Sequence, residues 1–111
     1  MNKTRTLHVA AAQIHSGGPL EKTLQRVERQ VTAASAVGAD VILFSECALH
    51  GYDYDMTPES VRAVAEPVDG SHCRRILDMA QRHRIVVLIG FLERNPVSYT
   101  HLRAHETVLD L

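Results

Sequence analysis

Three short apolar runs, separated by stretches of a different period, constrain this chain most. Residues 7–14 (LHVAAAQI), 41–44 (VILF) and 85–91 (IVVLIGF) are brief and rich in apolar residues, as interior strands are. Between the first two, Leu20, Leu24, Val27, Val31 and Ala34 recur at spacings of three and four. Glu21, Lys22, Gln25, Arg26, Glu28 and Arg29 lie between them, which predicts an amphipathic helix. Pro19 suits its first turn and Gly38 its C-terminal stop. Strand, helix and strand over this length make a parallel βαβ unit with a right-handed crossover. The first two strands are expected to be buried on both faces, although alanine is a poor strand former.

The remainder repeats the alternation. Thr57-Pro58-Glu59 marks a helix start and residues 60–65 a short helix, ended by Pro67 and Gly70. Ser71 is placed to cap a further helix with Ile76, Leu77 and Ala80 inward and Arg82, His83 and Arg84 at its C-terminal end. The third strand, 85–91, follows. The order β-α-β-α-α-β predicts an α/β layered fold. In such sheets ligands gather at the carboxyl ends of the strands, where Gln13, Glu46 and Glu93 all fall.

Composition narrows the function. A chain of 111 residues is one domain or part of one, and 45% hydrophobic with 23% charged residues is a folding composition. The net charge of −1, with both signs spread along the chain, argues against a nucleic-acid partner. The longest apolar run, residues 85–92, is too short to span a membrane. The N-terminus does not read as a signal peptide, so a cytoplasmic protein is expected. Cys47 and Cys73 form no framework and are expected as free thiols.

Glu46 is the first candidate for chemistry. A carboxylate just past a buried strand is expected to be partly desolvated, which raises its pKa and suits a general base. The competing reading is a solvated loop glutamate or a helix-capping acid. His50, Asp53 and Asp55 in HGYDYD have the residue types of metal ligands. A polar turn is the preferred reading there, because no second group with ligand spacing supports a site, and no metal is expected. Adjacent residues in an extended segment point to opposite sides, so Glu46 and Cys47 make a poor pair. Cys73 lies near a helix N-terminus, a setting that lowers a thiol pKa. Both cysteines are nevertheless read as packing residues. Gly17-Gly18 matches no phosphate-loop pattern, and no cofactor is expected.

Several segments together resemble the nitrilase, or carbon–nitrogen hydrolase, superfamily. VAAAQI resembles the family's first strand. GADVILFSECALHGYD resembles the strand that delivers a Pro-Glu pair and then Gly-Tyr, with Ser45 here in place of the proline. AEPVDGSHCRRILDMAQRHRIVVLIGFLER resembles the next helix and strand, and the likeness covers about residues 6–95. It implies part of a four-layer αββα sandwich. It also implies cleavage of a nonpeptide C–N bond in a small amide or nitrile by a Glu–Lys–Cys set, commonly joined by a second glutamate, through a thioester or thioimidate. Only the base role carries over, onto Glu46. Lys3 and Lys22 stand in the wrong segments, and Cys47 and Cys73 come too early to match the nucleophile. The resemblance therefore implies an N-terminal part that is inactive alone, belonging to a protein that forms a homo-oligomer at full length.

The resemblance stops after Asn95-Pro96. Residues 97–111 (VSYTHLRAHETVLDL) continue no strand pattern and read as a non-native or disordered tail, leaving 1–96 as the family domain. The alternative is a divergent helix in which His101 and His105 share a face. The competing function is a nonenzymatic α/β module that binds a small ligand or partner.

Overall fold

The computed structural model describes residues 4–15, 17–51 and 57–94, and the backbone of residues 102–109. Three parallel strands line up from one end: β1 (Val9–Ala11), β2 (Val41–Leu43) and β3 (Val86–Arg94). Val9 pairs with Val41 and Val41 with Val86, so the strands start level. Asp40 fastens that end, its backbone N–H donating to His8 O at 2.8 Å and its carbonyl accepting from Val86 N at 2.9 Å.

Helix α1 (Leu20–Ala36) makes the crossover from β1 to β2. Its predicted stripe is the one it buries: Leu24, Val27, Val31 and Ala34 all face the core. Pro19 is the N-cap, its carbonyl accepting from Lys22 N at 3.0 Å. Gly38 takes a φ of +85°, a left-handed turn that side chains resist, and releases the chain toward β2. Helix α2 (Pro58–Val64) begins at the expected Thr57, which forms a reciprocal capping box with Ser60. Helix α3 (Ser71–His83) packs Cys73, Ile76, Met79 and Ala80 inward, beside α1 and over β3, while Leu77 is half-buried. Arg84 closes α3 in the left-handed region at φ 51°.

The expected order β-α-β-α-α-β is therefore present. Three expectations are corrected. Ser71 does not cap α3; Gly70 is the N-cap, and the Glu66 carboxylate accepts Cys73 N–H at 3.1 Å. The first two strands are not buried on both faces, since Val9 is 57% and Leu43 41% exposed. Helices α1 and α3 cover one face, with Ile42, Val87 and Ile89 beneath them. On the other face Val9 and Leu43 have no cover among the described residues, whereas Leu92 near the end of β3 is buried with Cys47, Ala65 and Val61. Finally, a strand was not expected after Pro96, yet the backbone of β4 (Leu102–Leu109) pairs antiparallel with β3, from Val87↔Leu109 to Arg94↔Leu102. Ladder bonds are made by backbone groups, so such pairing does not need a conspicuous apolar alternation. The boundary at residue 97, His101, and the side chain of His105 lie outside the described residues.

The α1–α3–sheet core sets a stability expectation. Ile76 is fully buried in it. Ile76→Ala removes methylenes that this small core cannot replace, and is expected to cost about 3 kcal/mol in urea unfolding with little change in slope.

Candidate active site at the carboxyl end of the sheet

Beyond Leu43 the chain leaves the β1–β2 ladder but stays on β3. Phe44 N donates to Leu88 O at 2.8 Å, and the segment then folds into a turn over residues 46–50. Ala48 N donates to Ser45 O at 3.2 Å, Gly51 N to Cys47 O at 2.7 Å and Leu49 N to Gly90 O at 3.2 Å. Cys47 adopts a φ of 52°, an unfavourable conformation for a side-chain-bearing residue that the surrounding bonds hold in place. The turn sits directly on Gly90. A Cβ there would lie 2.5 Å from Cys47 N and 3.1 Å from Glu46 Cα. A glycine within the apolar part of β3 is thus what lets the Glu46 backbone rest on the strand.

Glu46 itself is exposed. The desolvated carboxylate expected from the sequence is not what these residues build, because no described element roofs the strand ends. Gln13 and Glu93 lie at the same end of the parallel strands, Gln13 exposed and Glu93 half-buried within β3. Cys47 is fully buried while its neighbour Glu46 faces solvent, so the two do not form a pair. Burial pushes the Cys47 thiol upward, and the Glu46 charge adds to that. Cys73 is pushed from 9.0 up to about 12, by burial first and then by the Glu66 carboxylate. The helix N-terminus expected to lower it is outweighed. Both thiols are free, and neither has the thiolate character a nucleophile needs.

His50 departs from its expected role as a polar turn residue. Its side chain is 1% exposed, and its Nδ1 accepts Leu92 N–H at 2.9 Å. Its Nε2 lies 4.0 Å from Glu66 Oε2. Glu66 is the residue the sequence did not single out. Its backbone bridges to β3, with Glu66 N donating to Leu92 O at 3.1 Å and Arg94 N to Glu66 O at 2.9 Å. Its carboxylate takes the His72 Nδ1 proton donor and the Cys73 backbone N–H. Gly70 makes room, because a Cβ there would come within 2.7 Å of Glu66 Oε1. The local hint was an acid shortly before a helix start. Asp53 and Asp55 lie outside the described residues. Among the described residues no three His, Cys, Asp or Glu side chains are grouped to hold a metal, and no helix is long and apolar enough to cross a membrane.

Parallel strands with an exposed carboxylate on a tight turn at their carboxyl ends define an α/β scaffold, and comparison with known proteins makes its family specific. Residues 8–111 match the carbon–nitrogen hydrolase family, and the chain belongs to that family. It is 28% identical over 104 residues to an aliphatic nitrilase of Rhodococcus rhodochrous, a match covering 83% of this chain and 28% of that protein. Among solved structures, it is similar to the C. elegans NitFhit protein, with TM-score 0.73 and 19% identity over 92% of this chain and 24% of that one. It is also similar to Saccharomyces cerevisiae Nit3, a member of the nitrilase superfamily, with TM-score 0.78 and 14% identity over 94% of this chain and 40% of that one. The fold is the nitrilase fold. The chain spans little more than a quarter of the length of the nitrilase it matches.

Three outcomes check this geometry. Gly90→Ala forces the Cys47 backbone off the strand and is expected to cost about 2 kcal/mol, with amide exchange accelerated in residues 46–51 and unchanged in α1. The folded-state value of the Cys73 thiol is raised, so the folded chain holds that proton more tightly than the unfolded one between 9.0 and about 12. Stability from this source is complete below pH 9 and falls as pH climbs toward 12. Cys73→Ala is expected to flatten that alkaline loss in denaturant melts. Iodoacetamide at pH 8 is expected to label both cysteines far more slowly in the folded chain than in urea.

Proposed function

We propose that this chain carries the general base of a carbon–nitrogen hydrolase that cleaves a nonpeptide C–N bond in a small amide or nitrile. The observation that supports it is Glu46, an exposed carboxylate held on a turn over Gly90 at the strand ends of a chain belonging to that family. The nitrilase relative supports the substrate class.

On this reading a cysteine thiol supplied by sequence beyond this chain gives its proton to the Glu46 carboxylate as sulfur attacks the substrate carbon. For an amide, the glutamic acid returns that proton to the departing nitrogen, which leaves as ammonia, and a thioester remains. Water then attacks the thioester, Glu46 takes a proton from it, and the acid and the free thiol are released. For a nitrile, the first adduct is a thioimidate, which water converts to the same end products. A lysine beside the tetrahedral intermediate, also outside this chain, stabilises its oxygen or nitrogen charge. Neither Cys47 nor Cys73 fits the nucleophile, being buried and raised in pKa. The chain alone is therefore inactive on this reading.

The open sheet face bearing Val9 and Leu43 is what the second sheet of a four-layer sandwich would cover. The complete protein is proposed to form homo-oligomers, as its family resemblance implies. Free thiols fit a cytoplasmic location.

The test is turnover by the full gene product. Glu46→Gln keeps the shape and removes the proton acceptor, and is expected to lower kcat on small amides or nitriles by at least about a hundredfold with the melting curve unchanged. Undiminished ammonia release by that variant sinks the assignment. The 111-residue chain is expected to release none. Ligand-dependent stabilisation of this chain without any turnover by the full product would favour the binding-module alternative instead.

A further inference from the structure

His50 stands at the far end of the turn that begins with Glu46, and its ring does work that backbone does elsewhere in the sheet. β2 stops at Leu43, whereas β3 continues to Arg94. Leu92 N–H, on the side of β3 that β2 has left, has no strand carbonyl to meet. His50 Nδ1 accepts it at 2.9 Å, standing in for the missing carbonyl. A ring nitrogen that accepts carries no proton, so the neutral ring holds its proton on Nε2. That atom is buried, makes no hydrogen bond, and lies 4.0 Å from Glu66 Oε2. A second proton on the ring would have to sit on Nδ1, facing the Leu92 N–H it now accepts.

We propose that His50 is a positioning residue for Glu46, holding the base-bearing turn onto β3 only while its ring is neutral with the proton on Nε2. The significance of that turn rests on the hydrolase reading above; the positioning itself does not. Three features join His50 to Glu46. Gly51 N bonds to Cys47 O, and Leu49 N bonds to Gly90 O, so residues on both sides of His50 are tied into one turn. The Glu46 Cα rests against Gly90 on the same strand. The imidazole adds a side-chain hydrogen bond from this turn to β3.

The surroundings favour the neutral ring. Burial lowers its pKa from 6.5, the Glu66 carboxylate opposes that to a lesser degree, and His72 on α3 adds to the lowering. Glu93 and Arg94 on β3, and Glu46 in the turn itself, are further charged groups on the two segments that the His50 bond joins. A lowered folded-state value means that His50 contributes its full stabilisation above pH 6.5 and loses it as pH falls through the folded value.

The experiment uses this chain, labelled with nitrogen-15. At pH 7, His50 is expected to show an unprotonated Nδ1 and a protonated Nε2, with the Leu92 amide protected from exchange. On acidification its titration is expected below 6.5, and with it the Leu92, Leu49 and Gly51 amides are expected to exchange roughly tenfold faster after correction for intrinsic rates. His50→Asn, whose Oδ1 can replace Nδ1 but cannot titrate in this range, is expected to keep the protection and abolish the acid step. His50→Ala is expected to lose the protection at every pH. A protonated Nδ1 at pH 7, or an acid step that survives in His50→Asn, overturns the proposal, and the second readout holds even if His50→Ala fails to fold. Glu46→Gln in the full gene product reports separately: its unchanged turnover defeats the hydrolase reading and leaves these outcomes intact.

Discussion

One strand edge organises this part of the molecule. β3 outruns its neighbour β2, and each backbone group on the exposed margin must find a partner or bear the cost of being buried without one. The chain answers in sequence along the strand. Phe44 bonds Leu88, Leu49 bonds Gly90, the His50 ring takes Leu92 N–H, and Glu66 closes the remainder by bonding Leu92 O and Arg94 N. Everything that places Glu46 follows from this succession, because Glu46 lies in the first segment to leave the ladder. Gly90 is the point at which a side chain would push the turn off the strand.

The same edge explains the electrostatics. Glu66, drawn in to finish the strand, brings its carboxylate beneath the α3 N-terminus, where Cys73 N–H and His72 meet it. A buried thiol next to a carboxylate has every reason to stay protonated, so Cys73 rises rather than falls despite the helix end beside it. Proximity to a helix N-terminus is a rule about an isolated dipole; burial of the thiol first, and then the formal charge on Glu66, override it.

How much of this could be read in the residues differs by scale. The stripe Leu24, Val27, Val31 and Ala34 was legible because helical period and burial are the same fact seen twice. Glu46 at a strand end was legible for a similar reason: an apolar run stops and an acid follows. Burial on both faces was misread for Val9 and Leu43 because composition reports how apolar a strand is, not what covers it. The cap on α3 was misassigned to Ser71 because capping preferences are local, whereas Glu66 reaches Cys73 only after the loop folds back. The His50–Leu92 bond spans 42 residues and leaves no trace in spacing. β4 escaped notice because ladder bonds are made by groups that every residue carries.

The uncovered side of the sheet has a consequence for the life of the polypeptide. A copy lacking its cover offers Val9 and Leu43, on adjacent strands two register positions apart, as an oily landing strip. Such surfaces are what cellular chaperones grip and quality-control proteases sort. The abundance of this segment in a cell is then set less by how firmly its helices pack than by how quickly something else arrives to hide that side.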